Sequence, residues 1–493
     1  MIEKKIKQIQ TLGDLKKSGW ESLSIKEEIR KNLIENLKEK KNSFEGIIGF
    51  EDTVVPDIER ALLSKHNILL LGLRGQAKTR IARKMTELLD DYMPYVTGSE
   101  INDDPYKPLS RFAIEIIEKE GDKTPISWIH KSDRFVEKLA TPDVSVADLI
   151  GDVDPIKAAN LKLPYSDQRV IHFGLVPRSH RSIFVINELP DLQPRIQVSL
   201  FNILQEGDLQ IRGFKFRLPL DIQFVFTANP EDYTNRGSIV TPLKDRIESQ
   251  ILTHYPKDIA TARAITEQEA LIDDKNAMIH IPDPAFDLLE SISFKARVSE
   301  YVDENSGVSA RLSISALENL VSTAERRTLL AWDKKSCVRL TDFWGIIPSM
   351  TGKVELVYEG EQEGPYSVAL HLIGAAMKDL FLTLFPHPEN KEQKTKDPYG
   401  TINAFFSGGN SIDIENDFSD KAYLKELNKV AGLSKFVDDS GVADNKAEKG
   451  FFMELVLHGL SEFELINKSI IDTQVHYEDP LANMFGDFNT GDN

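Results

Sequence analysis

Gly72-Leu73-Arg74-Gly75-Gln76-Ala77-Lys78-Thr79 combines the residue types that hold a phosphate chain. The stretch follows an apolar run, Ile68-Leu69-Leu70-Leu71, and leads into helical periodicity over residues 79–89. Successive backbone N–H groups at such a strand-to-helix turn point at an anion, and glycines let the main chain approach its oxygens. The Lys78 ammonium would reach the β- and γ-phosphates, and the Thr79 hydroxyl would bind Mg²⁺. The match to G-x-x-x-x-G-K-[ST] is incomplete, because Ala77 stands where the last glycine is usual.

Two further apolar runs end in polar residues. Ser182-Ile183-Phe184-Val185-Ile186-Asn187-Glu188 ends in a pair whose first member would hold the water shell of Mg²⁺. Its second, Glu188, would orient and deprotonate the attacking water. Asn187 replaces the usual aspartate. Its amide oxygen still accepts a hydrogen bond from a metal-bound water but carries no charge, which predicts weaker metal binding. Ile222-Gln223-Phe224-Val225-Phe226-Thr227-Ala228-Asn229-Pro230 places Asn229 where it would lie beside the γ-phosphate. Arg246, in Thr241-Pro242-Leu243-Lys244-Asp245-Arg246-Ile247, and Arg311, in Ser309-Ala310-Arg311, have the charge to stabilise a phosphoryl transition state or close a lid. By residue type alone, Arg246 reads better as a surface ion-pair partner of Asp245 or Glu248, and Arg311 as a surface ion-pair residue too.

The elements that must position these residues follow from the patterning. From about residue 46, short apolar runs alternate with amphipathic segments, which predicts a parallel α/β sheet covered on both faces. Strands are predicted at 68–71, 183–186 and 222–227, with helices at 79–89, 195–205 and 242–249. Residues 1–45 are polar and helical in pattern. Ser24-Ile25-Lys26-Glu27 has capping-box form, and Ile25, Ile29, Leu33 and Leu37 make a stripe that either packs on the next domain or binds a partner. Residues 256–345 read as helical, for example 284–297 and 313–332. Segment 386–396 reads as a linker, 410–417 and 438–449 as polar, and 451–466 as a last helix. The predicted division is therefore 1–45 as an N-terminal helical segment, 46–255 as the α/β domain, 256–345 as a helical lid, and 346–493 as an extension of unknown role.

Length and composition set limits. The 493 residues predict about three domains. At 41% hydrophobic and 28% charged residues, the chain is expected to fold. Sixty basic against 78 acidic residues leave a net charge of −18, which argues against broad binding to nucleic acid or an anionic membrane. Cys337 is the only cysteine, so a disulfide framework and a multi-cysteine zinc site are both excluded. No apolar run of signal-peptide length opens the chain, and 68–73 is far shorter than the ~20 residues that span a bilayer. These features lead to the expectation of a cytoplasmic protein.

Taken together and in this order, the motifs resemble an AAA+ ATPase, and more closely the magnesium chelatase ATPase subunit and the MoxR-type ATPases. Gly75-x-Ala77-Lys78-Thr79 is a form found in MoxR-like loops. Ala140-Thr141-Pro142-Asp143 with Leu149-Ile150-Gly151-Asp152-Val153-Asp154 resembles the chelatase segment before its helix-2 insert, placed near 141–180. His172-Phe173-Gly174-Leu175-Val176-Pro177-Arg178-Ser179-His180 resembles the segment that re-enters the sheet. Asn229-Pro230-Glu231-Asp232 and Leu243-Lys244-Asp245-Arg246 resemble sensor 1 and the arginine finger, and Ser309-Ala310-Arg311 resembles sensor 2. The resemblance covers roughly residues 46–335 and implies an α/β P-loop core with a helical lid. It implies ATP and Mg²⁺ as ligands, with Gly72, Arg74, Gly75, Gln76, Ala77, Lys78, Thr79, Arg80 and the upstream Ile48 around the nucleotide. Thr79 and, through water, Asn187 would serve the metal. It also implies a homo-oligomeric ring, usually of six subunits, in which Arg246 acts on the neighbour's nucleotide. A partner with a von Willebrand factor A domain and a protein client, remodelled or loaded with metal, complete the picture. Two other readings stay open: an ATP-gated scaffold that hydrolyses little, motivated by Asn187, and a chelatase subunit itself.

Overall fold

A parallel strand sandwiched between helices needs no polar alternation, which is why three continuous apolar runs become the inner strands of one sheet. The computed structural model describes residues 8–206, 208–211, 214–230, 238–272, 278–304, 306–389, 397–471 and 474–480. Its central sheet holds β1 (Ile68–Leu71), β2 (Phe135–Leu139), β3 (Ser182–Asn187), β4 (Ile222–Ala228) and β5 (Ser249–Leu252). The order is β5-β1-β4-β3-β2, and every pairing is parallel. The two edge strands, β2 and β5, are the ones the patterning missed. Each exposes alternate residues to solvent, so neither carries a continuous apolar run.

The chain divides at Tyr255 into two compact units. In the first, α1 (Ile25–Glu39) opens on Ser24 with the expected capping box to Glu27. Its stripe is a packing face: Ile25, Ile29 and Leu33 are buried in one cluster with Ile68 and Leu70 of β1 and with α2 (Val54–Leu63). Leu37, the last of the stripe, is exposed. The predicted segment 1–45 thus contributes to the same core as the sheet rather than standing apart.

The predicted helix at 79–89 is α3 (Lys78–Lys84) followed by a tighter 3₁₀ turn, Met85–Leu88. The predicted helix at 195–205 is α4 (Pro194–Glu206). The predicted helix at 242–249 is a correction: only Thr241–Lys244 is helical, and Ser249 already belongs to β5. Within the insert, Gly151–Val153 pairs antiparallel with Ile171–Phe173. Two glycines permit that contact. A Cβ on Gly151 (φ +124°) would lie 2.4 Å from the His172 carbonyl oxygen, and one on Gly174 would lie 2.5 Å from the Leu149 carbonyl carbon.

A polar residue immediately precedes each strand: Asn67, Arg134, Arg181, Asp221 and Glu248. At this amino end, Arg134 forks onto both oxygens of Glu28 in α1, at 2.7 and 2.6 Å, and donates to the Arg181 carbonyl at 3.0 Å. Asp221 accepts from the Ile25 N–H at 2.7 Å, and Glu248 accepts from the Asn67 N–H at 2.9 Å.

In the second unit, one hydrophobic cluster runs from Ile279 to Tyr477. It joins α5 (Asp283–Arg297), α6 (Arg311–Ala331), α7 (Pro365–Leu384) and α8 (Lys449–Glu462), so the predicted lid and extension share a core. Segment 410–417, read as largely polar, contains β6 (Ile412–Glu415), which buries Ile412 and Ile414 and exposes Asp413 and Glu415. It pairs antiparallel with β8 (Gln474–Glu478), which also pairs with β7 (Asn467–Ile471). Of the predicted linker, residues 390–396 lie outside the described residues. Among the described residues, Pro365–Leu384 is the one helix long and apolar enough to cross a membrane, and Val368, Leu372, Ile373, Met377 and Phe381 on it are buried in the core.

Candidate functional site

Strand register assembles the site at the carboxyl ends, the side on which open α/β sheets bind ligands. Leu71 lies opposite Ala228, which brings Gly72 alongside Asn229. Phe226 lies opposite Ile186, so Thr227 and Asn187 are next to each other, and Leu139 lies opposite Asn187. The Gly72 N–H donates to the Ala228 carbonyl at 3.2 Å. From there the loop turns through two left-handed residues, Gly75 (φ +75°) and Ala77 (φ +53°). The second explains why glycine is usual at this place. A side chain held in that region costs about 1–2 kcal/mol, and the loop carries that strain at Ala77.

Lys78, buried at 7% exposure, donates to the carbonyls of Gly72 and Leu73 (2.9 Å to the latter) and to Asn229 Oδ1 at 2.7 Å. Thr79 Oγ1 donates to Asn187 Oδ1 at 3.2 Å, and Thr227 Oγ1 donates to the same oxygen at 3.2 Å. The Asn187 amide nitrogen donates to Glu137 Oε1 at 2.5 Å, and Arg83 donates to Glu137 Oε2 at 2.8 Å. Glu188 is half-buried where the chain leaves the sheet, itself left-handed (φ +55°), with its N–H donating to Thr227 Oγ1 at 3.2 Å. A non-glycine residue held there is strain of the kind that accumulates at functional sites. The structure therefore brings Lys78, Thr79, Asn187, Glu188 and Asn229 into one cluster.

The loop is braced from β5. Gln76 accepts from Thr253 Oγ1 at 2.7 Å, and the Tyr255 hydroxyl donates to the Arg74 carbonyl at 2.9 Å. His254, between them, hydrogen-bonds Thr53 Oγ1 at 2.8 Å and meets the Phe50 ring edge-on at 4.9 Å. These contacts hold the segment carrying the half-buried Ile48 to the same strand end as the loop. Arg74 is exposed and Arg80 is half-buried on α3.

The two arginines are carried by other elements. Arg246 follows the short helix Thr241–Lys244, pairs with Asp245 and stacks over Phe201 at 5.0 Å. Arg311 is the exposed first residue of α6, in the second unit. Glu231 and Asp232 lie outside the described residues.

Sequence reasoning missed Glu137, Arg83, Thr227, Thr253 and Tyr255. Thr227 was in plain view inside a predicted strand. The other four depend on β2, β5 or the end of α3, where register rather than residue type makes the contact. Cys337 takes no part: burial pushes its thiol up to about 12, which keeps it protonated.

A P-loop after β1, the 5-1-4-3-2 parallel order and polar residues at the ends of the adjacent strands β3 and β4 give the α/β P-loop core that the sequence resemblance to AAA+ ATPases implies. No family model matches the chain. Among solved structures, the chain is similar to NtrX from Brucella abortus in complex with ATP, at 15% identity over 59% of this chain and 52% of that one, with a TM-score of 0.35. It is similar to the BchI–BchD complex of magnesium chelatase, at 19% identity over 72% of this chain and 98% of that one, TM-score 0.34. It is also similar to the Hsp104–ADP complex of S. cerevisiae, at 13% identity over 62% and 50%, TM-score 0.35. The chain spans about half the length of the NtrX and Hsp104 chains.

Proposed function

We propose that the chain binds Mg-ATP at residues 72–79 and hydrolyses it. The observation that carries this is the joining of loop and strand ends, with Lys78 bonded to Asn229 at 2.7 Å and Thr79 to Asn187 at 3.2 Å, beside Glu188. In-line attack on the γ-phosphate needs little covalent help from a protein; it needs positioning and charge neutralisation. Lys78 neutralises charge on the phosphate oxygens. Glu188 orients the attacking water and takes its proton, and Asn229 holds that water beside the γ-phosphate. The donor set fits Mg²⁺, since Thr79 Oγ1 and Asn187 Oδ1 are neutral oxygens of the kind that hold the ion and its waters. The metal, when bound, supplies further charge neutralisation at the phosphates.

On the sequence resemblance, the chain acts as a cytoplasmic AAA+ ring subunit, with six copies to a ring. Arg246 completes the neighbour's site, and the lid carrying Arg311 moves between ATP and ADP states. A von Willebrand factor A partner links the ring to a protein client, which it remodels or loads with metal. The test is phosphate release with Mg-ATP across a protein concentration series, with Lys78→Ala as the blank. Turnover per subunit should rise with concentration; flat turnover would remove the shared-site ring. Asn187 favours a second reading, an assembly scaffold gated by ATP. Its mark is nucleotide-dependent assembly with negligible phosphate release.

A further inference from the structure

Asn187 lacks the charge usual at its position, and the structure holds a charge one strand away. Glu137, on edge strand β2, accepts from the Asn187 amide nitrogen at 2.5 Å, while Asn187 Oδ1 accepts from Thr79 and Thr227. This fixes the amide with its oxygen toward the phosphate-binding loop and its nitrogen toward the carboxylate. An aspartate at 187 in the same pose would set a carboxylate oxygen against Glu137 Oε1 at hydrogen-bond distance, where like charges repel. Asn187 is thus the residue that Glu137 requires beside it. The two together carry one negative charge, the same as an aspartate beside a neutral neighbour. Arg83 donates to the other Glu137 oxygen at 2.8 Å, but its side chain is 67% exposed, so it orients the carboxylate more than it cancels its field. Glu137 is on the open edge strand, but its side chain is 27% exposed against 67% for Arg83, so its charge is screened less than that of Arg83.

We propose that Glu137 supplies the negative charge of the Mg²⁺ site, acting through the Asn187 amide as a positioning residue. The inference rests on the Mg-ATP reading above. A carboxylate that accepts from one end of an amide polarises it and makes the oxygen at the other end a stronger acceptor for metal-bound water. Charge at this site has moved from β3 to β2, and a repair aimed at position 187 alone would crowd two acids together.

The test is Mn²⁺ titration of the full chain with bound ATP, read by electron paramagnetic resonance, beside fluorescent-ATP binding in metal-free buffer. Glu137→Gln keeps an acceptor for the Asn187 amide and removes the charge, together with the acceptor for the exposed Arg83. It should weaken Mn²⁺ by about 10-fold or more and leave metal-free nucleotide affinity unchanged. Asn187→Asp alone should not tighten Mn²⁺. The double variant Asn187→Asp/Glu137→Gln, which restores one charge on β3, should return Mn²⁺ affinity to within about threefold of the parent. Mn²⁺ affinity indifferent to Glu137→Gln, or tightened about 10-fold by Asn187→Asp alone, would overturn this inference and leave the ATP reading standing. Failure of the parent chain to bind ATP at all would overturn both.

Discussion

The two ends of the sheet use polar residues in opposite ways. At the amino end, charges are paired within the protein: the Arg134 guanidinium is fully buried and both its forks end on Glu28. At the carboxyl end, Lys78 lies within reach of the phosphate-binding loop and donates to two of its carbonyls and to the amide of Asn229. A cation placed at the mouth of a phosphate-binding loop serves a ligand, whereas a fully buried cation forked onto a carboxylate serves the fold. The contrast separates residues that hold the sheet from residues that use it, and substitutions at the two ends should fail differently.

The largest effect belongs to the carboxyl end. Glu188→Gln should cut phosphate release by about 10²–10⁴-fold while ATP still binds, as for loss of a general base. Its melting temperature should stay within a few degrees of the parent; unchanged turnover would remove Glu188 from the role. The reverse is expected at the other end, where Glu28→Ala leaves the buried Arg134 without its carboxylate. It should lower unfolding free energy by about 3–5 kcal/mol in denaturant titration, and turnover measured on the folded fraction should persist.

A pH scan sharpens the same contrast. His180 is buried beside the amino end, accepts from the Asp221 N–H at 2.9 Å, and is pushed down to about 4 by burial and then by the neighbouring Arg181 charge. Its unfolded value is near 6.5, so between those values the unfolded chain binds the extra proton. Its contribution is therefore present above about 6.5 and is lost as pH falls toward 4, by roughly 3 kcal/mol in all. Asp221, raised by burial, slopes the other way, so the quantity to plot is the parent minus His180→Asn. That difference should shrink on acidification, and a flat line would show that His180 does not titrate. The smallest effect returns to the loop: Ala77→Gly relieves the left-handed φ of +53° and should stabilise by about 1 kcal/mol with ATP binding retained.

How much of this was legible depended on position in the sheet. The inner strands β1, β3 and β4 announced themselves as unbroken apolar runs, and with them came Lys78, Thr79, Asn187, Glu188 and Asn229. The edge strands did not. Phe135-Val136-Glu137-Lys138-Leu139 and Ser249-Gln250-Ile251-Leu252 have one covered side and half-polar sequences that resemble loops. Glu137 was hidden for that reason, and so were the braces Thr253 and Tyr255. In the second unit, buried charge was hidden in the same way. Arg327 sits at 2% exposure on Asp342 at 2.9 Å and on Asp420 at 3.2 Å, contacts among residues that nothing in their spacing connects.

The amino-end lock also sets where the chain can be cut. Glu28 and the Ile25 N–H belong to α1, yet they satisfy Arg134 and Asp221 at the starts of β2 and β4. A fragment trimmed to the nucleotide-binding half from residue 46 onward would look complete by motif and would strand a guanidinium and a carboxylate in its interior. The shortest soluble version worth crystallising begins ahead of Ser24, where the helix cap and both partners travel with the sheet they hold.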